Sequence, residues 1–155
     1  MEMKRSAAGM AIGLVVSVGV LRLTADARVV SYTFTKIADC SGGFANFTGG
    51  MSINARGTVA FAASFPAGSP GIFIGMGGPL TTIVDNSQSF GSFGLFGNFG
   101  GQPSINNTGT VAFEAEFRGG GKGILTSSGG PLTLIADNSG VFGGFDGPVA
   151  INNKQ

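Results

Sequence analysis

A nine-residue stretch occurs twice at a spacing of 52, and its opening returns 46 residues further on. Ile53-Asn54-Ala55-Arg56-Gly57-Thr58-Val59-Ala60-Phe61 comes back as Ile105-Asn106-Asn107-Thr108-Gly109-Thr110-Val111-Ala112-Phe113, and Ile151-Asn152-Asn153 begins a third copy. A fixed period in this range marks a repeat architecture, in which each copy is one supersecondary unit that buries its faces against its neighbours. The repetition constrains shape far more than chemistry.

Two further landmarks set the spacing. Ile37-Ala38-Asp39, Ile83-Val84-Asp85 and Ile135-Ala136-Asp137 align with one another. Phenylalanines follow each Asp at matching offsets: Phe44 and Phe47, Phe90 and Phe93, Phe142 and Phe145. Asp39 and Asp85 are 46 apart, whereas Asp85 and Asp137 are 52 apart. This predicts a unit of 46 residues, with six extra residues in the second copy between Phe93 and Ile105.

Each unit reads as four short strands rich in Val, Ile, Thr and Phe and bounded by Gly, Pro, Asn and Ser. The first ends at Ser52-Ile53, Ser104-Ile105 or Ala150-Ile151. The second covers Thr58 to Phe65 and Thr110 to Phe117; the third covers Gly71 to Ile74 and Gly123 to Leu125. The fourth covers Leu80 to Val84 and Leu132 to Ala136, and an additional strand is expected over Val29 to Ala38. Asn54-Ala55-Arg56-Gly57 and Asn106-Asn107-Thr108-Gly109 suit a type I turn joining strands one and two. There Asn accepts a backbone hydrogen bond through its side chain, and Gly takes the left-handed conformation of a bulged hairpin. Gly77-Gly78-Pro79 and Gly129-Gly130-Pro131 suit the turn from strand three to strand four.

Strand two alternates between Val59, Phe61, Ala63 and Phe65 on one face and Thr58, Ala60, Ala62 and Ser64 on the other. Large apolar residues against small neutral ones imply that both faces are covered, as in closely stacked sheets. The expected fold is all-β, made of antiparallel four-stranded repeats of about 46 residues. This is the size of a propeller blade, so the array is propeller-like and incomplete. A β-solenoid is the alternative, although its coils are usually much shorter.

The N-terminus reads as an export signal. Lys4 and Arg5 precede an uncharged stretch from Ser6 to Leu21, and Ala25-Asp26-Ala27 offers the small residues of a cleavage site. Residues 1–27 are thus read as a signal peptide and 28–155 as the β-repeat domain. The apolar stretch is shorter than a spanning helix needs, and no longer one follows. Loss of Lys4, Arg5 and Arg22 leaves six of nine basic residues, and loss of Glu2 and Asp26 leaves six of eight acidic ones. A neutral chain without clustered Lys and Arg excludes nucleic acid as the expected partner. Cys40 is the only cysteine, so no internal disulfide is possible, and it occupies the slot of Asn86 and Asn138 in the other copies.

Candidate chemistry is sparse. The chain has no histidine, which removes Ser-His-Asp and Cys-His arrangements and any His-ligated metal. Arg118-Gly119-Gly120-Gly121-Lys122-Gly123 resembles a phosphate loop but lies between two strands, so a hairpin loop is expected. Glu114 and Glu116 stand where the first copy has Ala62 and Ser64, and at i and i+2 they share one face of a strand. Paired carboxylates serve acid–base work on sugars; a solvated strand end is the plainer expectation. Asp39, Asp85 and Asp137 each precede a Ser by two residues, which fits an Asx turn, with calcium as the sharper alternative. Phe90, Phe93, Phe96 and Phe99 recur every third residue. They are either an exposed aromatic platform or, as expected here, packing residues, with Phe96 and Phe99 covering an edge. No catalytic, cofactor-binding or metal-ligating residue is assigned.

Asn54-Gly57-Ala60-Phe61 and Asn106-Gly109-Ala112-Phe113 spell an Asn-x-x-Gly-x-x-Ala-Phe signature. It resembles that of exported bacterial tandem-repeat proteins of the choice-of-anchor type, and the resemblance covers most of residues 36–155. It implies export and a propeller-like array, with no assigned activity. The sequence departs from that pattern by stopping inside the third turn without an anchor segment. Two full units leave open faces and unpaired edges, so a fragment of a longer reading frame or self-association is expected. The function expected from these features is an exported, non-catalytic binding or structural scaffold, secreted or at the cell surface. Its partner is an extracellular ligand or further repeats of a longer chain. The rivals are a fragment of a propeller-type carbohydrate-active enzyme and a non-functional truncation of a longer repeat protein.

Overall fold

In the second strand of each sheet, apolar residues occupy consecutive positions, and both faces are buried. The computed structural model describes residues 31–145 and 147–154, with Phe93 described through its backbone alone. The expected signal peptide, residues 1–27, lies outside the described residues. Among the described residues, nine strands form two antiparallel sheets. Sheet one contains β1 (Asn46–Ile53), β2 (Val59–Ser64), β3 (Pro70–Gly75) and β4 (Thr81–Asp85), in that order. Sheet two contains β5 (Phe96–Asn98), β6 (Ser104–Ile105), β7 (Val111–Phe117), β8 (Lys122–Ser127) and β9 (Thr133–Asp137). Its order is β5-β7-β8-β9, with β6 also pairing with β7. The fold is all-β and open.

The Asn-x-x-Gly turns form as the sequence predicts. Asn54 Oδ1 accepts from the backbone N–H groups of Arg56 and Thr58, and Asn106 Oδ1 accepts from those of Thr108 and Thr110. Gly57 and Gly109 have φ of 81° and 91°, a region where a side chain would be strained. The fourth strands also form, and each ends in an Asx turn: Asp85 Oδ1 accepts from Ser87 N and Asp137 Oδ1 from Ser139 N.

The alternation on strand two has a partner-specific meaning. Val111, Phe113, Ala115 and Phe117 on β7, with Leu125 on β8, pack into the same core as Ala60 and Ala62 on β2 and Ile72 on β3. The large-residue face of sheet two thus sits on the small-residue face of sheet one. The equivalent large face of sheet one, with Phe61, Ala63 and Phe73, is covered by Phe44, Phe47, Ile37 and Leu80. The stacking is heterologous: one kind of face meets the other kind.

Two expectations need correction. Residues 31–38 form no strand. Their β-branched residues favour extended backbone, but the segment joins no ladder; it lays Ile37 and Ala38 on sheet one through side chains instead. The six extra residues also lie elsewhere. Asn46 pairs with Ser64 and Asn98 with Glu116, so β5 is equivalent to the start of β1 at a spacing of 52. The rings agree: Phe44 lies 5.2 Å from Phe65, and Phe96 lies 5.2 Å from Phe117. Likewise Phe47–Phe61 and Phe99–Phe113 are 5.7 and 6.0 Å apart. Phe96 and Phe99, rather than Phe90 and Phe93, are therefore the counterparts of Phe44 and Phe47. The insertion falls between Asp85 and Phe96, as a 3-10 turn (Gly91–Phe93) closed by a bridge between Ser89 and Leu95.

Candidate functional site

Sheets one and two are joined by side chains that reach from one turn to the next. Asn54 Nδ2 donates to Asn106 O at 2.9 Å, and Asn106 Nδ2 donates to Asn152 O at 3.3 Å. In the opposite sense, Ala55 N donates to Asn107 Oδ1 at 2.9 Å and Asn107 N to Asn153 Oδ1 at 2.7 Å. One step earlier, Ser52 Oγ accepts from Ile105 N and Ser104 Oγ accepts from Ile151 N. Close approach is also built in: Gly49 has a φ of 88°, and a Cβ on it would lie 2.7 Å from Gly101 O. Each amide in the ladder meets an acceptor from the neighbouring turn, so backbone groups that no strand pairs are satisfied. The recurring asparagines are structural.

On the far face of sheet two the residues change character. Ala112, Glu114 and Glu116 point away from sheet one, and in the β7–β8 ladder Glu116 stands directly opposite Lys122 and Glu114 opposite Ile124. Lys122 Nζ lies 3.0 Å from Glu116 Oε1 and 3.3 Å from Glu114 Oε1. A cross-strand pair of opposite charge is favourable, and here one ammonium serves two carboxylates. The Lys122 pKa is raised above its usual 10.5 by its hydrogen bond to Glu116, then by the one to Glu114. An open groove of about 650 Å³ lies over these residues, walled by Gly49, Gly50, Gly100, Gly101, Gln102, Phe145, Gly147 and Pro148. Glu114 is only 5% exposed, because Gly100 lies over it: a Cβ there would come within 3.2–3.3 Å of the carboxylate. The expected solvated strand end is thus corrected at Glu114; Glu116 is half-buried. The groove is floored by the Glu116 carboxylate and the Lys122 ammonium, and Phe145 and Gln102, whose Nε2 donates to Met51 O at 2.6 Å, line its walls.

The other candidates resolve into packing and turns. Phe96 and Phe99 are 0% and 6% exposed and belong to the core between the sheets; they cover no edge. Arg118 to Gly121 form the β7–β8 hairpin turn, with Gly120 and Gly121 at φ of 86° and 97°. Asp39 Oδ1 accepts from Ser41 N, and Lys36 bonds its other oxygen at 2.8 Å. These bonds, Lys36 first and then Ser41, hold the Asp39 carboxyl down at about 2. The Asp137 pKa is lowered by Ser139. Among the described residues no three His, Cys, Asp or Glu side chains gather where they could share a cation. Cys40 is exposed in the first 3-10 turn. A smaller apolar cavity of about 230 Å³ between Ile37, Ala38, Phe47, Met51, Val59 and Phe61 is a packing gap beneath the segment that covers sheet one. Sequence reasoning missed Lys122 as the partner of both glutamates and the outward role of the asparagine amides. The second signal was available in the recurrence of Asn at positions 107 and 153.

Residues 14–150 match the model of DUF7453, a family of unknown function. The chain belongs to that family. No curated protein and no solved structure matches it. Among the described residues, no helix of this DUF7453 member is long and apolar enough to cross a membrane.

Proposed function

We propose that the chain is an exported, non-catalytic scaffold of propeller-like stacked repeats that acts at the cell surface or outside the cell. The observation that carries this reading is the use to which the recurring polar residues are put. Asn54, Asn106 and Asn107 spend their side chains on joining one turn to the next. The recurring Asp85 and Asp137 spend theirs on closing turns. Side-by-side first strands, with the large face of one sheet set on the small face of the other, are what a ring of blades requires. The Lys-Arg start, the uncharged stretch from Ser6 to Leu21 and Ala25-Asp26-Ala27 support export. The Asn-x-x-Gly-x-x-Ala-Phe resemblance to choice-of-anchor repeat proteins supports it as well. The groove over Glu114, Glu116 and Lys122 is the place for an extracellular ligand.

The test of export is the N-terminal sequence of the product secreted by a bacterial host making the full chain. Mature protein beginning at Arg28 is expected; intact chain held in the cytoplasm overturns the proposal.

One observation favours a second reading, a carbohydrate-active site. Glu114 and Glu116 share a face beneath a groove, as paired carboxylates do in glycoside hydrolysis. The double variant Glu114→Gln, Glu116→Gln separates the two readings. A scaffold retains its fold, with no turnover in either form. An enzyme shows turnover in the wild type that the variant abolishes.

A further inference from the structure

The segment ahead of sheet one joins no ladder, yet it sits where a fourth strand sits. Thr35, Ile37 and Asp39 stand 46 residues before Thr81, Ile83 and Asp85 of β4. A Cβ on Gly77 would meet Thr35 Cγ2 and then Lys36 O. At the equivalent turn of sheet two, a Cβ on Gly129 would meet Thr81 Cγ2 and also Thr82 O. Ile37 joins the core that Leu80 packs against, as Ile83 joins the core that Leu132 packs against. The exits agree as well. Asp39 Oδ1 accepts from Ser41 N and Asp39 O from Gly42 N; Asp85 Oδ1 accepts from Ser87 N and Asp85 O from Gln88 N. Residues 35–39 therefore lie against sheet one as β4 lies against sheet two.

The two differ in their neighbours. β4 and β9 are hydrogen-bonded to β3 and β8, whereas among the described residues no backbone group of residues 35–38 has a backbone partner. The sequence just ahead does not spell such a partner. At the same spacing of 46, the positions of Ile72 and Ile74 in β3 are held by Asp26 and Arg28.

We infer that residues 35–39 are a preset fourth strand that takes up a third strand of the same repeat type, by the antiparallel strand addition that an open edge permits. The ladders of the two sheets specify the occupant. Glycine stands opposite the Asp in both, Gly71 opposite Asp85 and Gly123 opposite Asp137. Isoleucine stands opposite the residue before it, Ile72 opposite Val84 and Ile124 opposite Ala136. Space demands the glycine: a Cβ on Gly123 would lie 3.1 Å from Leu134 Cδ1 and 3.3 Å from Ala136 O, and one on Gly71 would lie 3.1 Å from Val84 O. The occupant thus carries Gly opposite Asp39 and Ile opposite Ala38. Asn86 N donates to Pro70 O and Asn138 N to Lys122 O. Donors toward a given neighbour recur at every second residue, so in this register the Ala38 N–H points at the added strand. A second copy is not the donor, because its β3 and β8 are already paired on both sides. The inference rests on the repeat register alone and stands whether or not the chain is exported.

The experiment titrates the full chain with a labelled synthetic peptide of residues 121–127, which carries the third strand of sheet two, and with its Gly123→Val analogue, up to about 1 mM peptide. Amide hydrogen exchange is read with and without peptide. The wild type is expected to bind the peptide saturably and to slow exchange at Ala38 by at least about tenfold. The analogue is expected to bind at least about tenfold more weakly, and so is the peptide to the Ala38→Pro chain, which lacks the donor. No binding up to about 1 mM overturns the inference. Binding that leaves Ala38 exchange unchanged, or that the analogue shares equally, overturns it too. A chain that self-associates without peptide and protects Ala38 in doing so also overturns it, because the donor is then a second copy. Should Ala38→Pro fail to fold, the wild type and the two peptides decide the matter by themselves.

Discussion

The face of sheet one built from Ala60, Ala62 and Ser64 and the face of sheet two built from Ala112, Glu114 and Glu116 occupy the same place in the same strand pattern. Opposite them, Pro70 in β3 corresponds to Lys122 in β8. The first face is a seat for phenylalanines: Phe96, Phe99 and Phe113 share its core. The second is the floor of a groove, with three charges tied together. The difference teaches that the backbone pattern is indifferent to what a face does. Turn chemistry and strand alternation make the sheet, and three substitutions convert a packing seat into a polar surface.

The largest expected effect separates the two large faces. Phe113→Ala opens the core between the sheets and should cost about 3–5 kcal/mol in chemical denaturation. Phe61→Ala, at the equivalent position under a loop segment that can settle, should cost clearly less; equal losses would break the distinction between the two faces.

Next come the joining groups. Asn106→Ala strands the N–H groups of Thr108 and Thr110 and the Asn152 carbonyl, at about 1–3 kcal/mol. Asn107→Ala leaves the turn intact and removes one bond to Ala55, at about 0.5–1.5 kcal/mol. Urea midpoints of the two variants check the order.

Two glycines sharpen the role of close approach. Gly57→Ala meets no neighbour and should cost about 1–2 kcal/mol for its left-handed backbone alone. Gly49→Ala has the same strain and also collides with Gly101 O, so its melting temperature should fall further. Equal shifts would mean that the two first strands do not lie as closely as described.

The smallest effects are those of pH. The raised Lys122 pKa means that its contribution is complete below the usual 10.5 and is lost as pH rises beyond it through the folded value. Lys122→Met should therefore remove the alkaline loss of stability and leave Glu114 buried without its cation. The lowered Asp39 pKa acts in the opposite direction: its contribution is present above 3.8 and is lost as pH falls through about 2. Asp39→Asn should flatten stability between pH 4 and 2, with a small effect because the group is exposed.

Strands two to four and their turns were legible because two signals agree. Period-two alternation in Val59 to Phe65 fixes the strand, and Asn54 and Gly57 fix the turn that enters it. The place of the insertion was not legible. Phenylalanines every third residue from Phe90 to Phe99 give two alignments of equal merit, and only pairing of Asn98 with Glu116 decides between them. Nor was the burial of Glu114 legible. Strand position places Glu114 and Glu116 on one face, but Gly100, which covers one and not the other, arrives from a different strand connection. The groove was half legible: the glutamates stood out against Ala62 and Ser64, while Lys122 looked like part of a glycine-rich loop.

The central claim is that successive turns are held together by side-chain acceptors, and native-state hydrogen exchange tests it most directly. The amides of Ala55, Ile105 and Asn107 have side-chain acceptors from the neighbouring turn, namely Asn107, Ser52 and Asn153. The account predicts protection at these amides comparable to that of the β2 and β7 amides. Exchange at the rate of an unstructured peptide amide would contradict it.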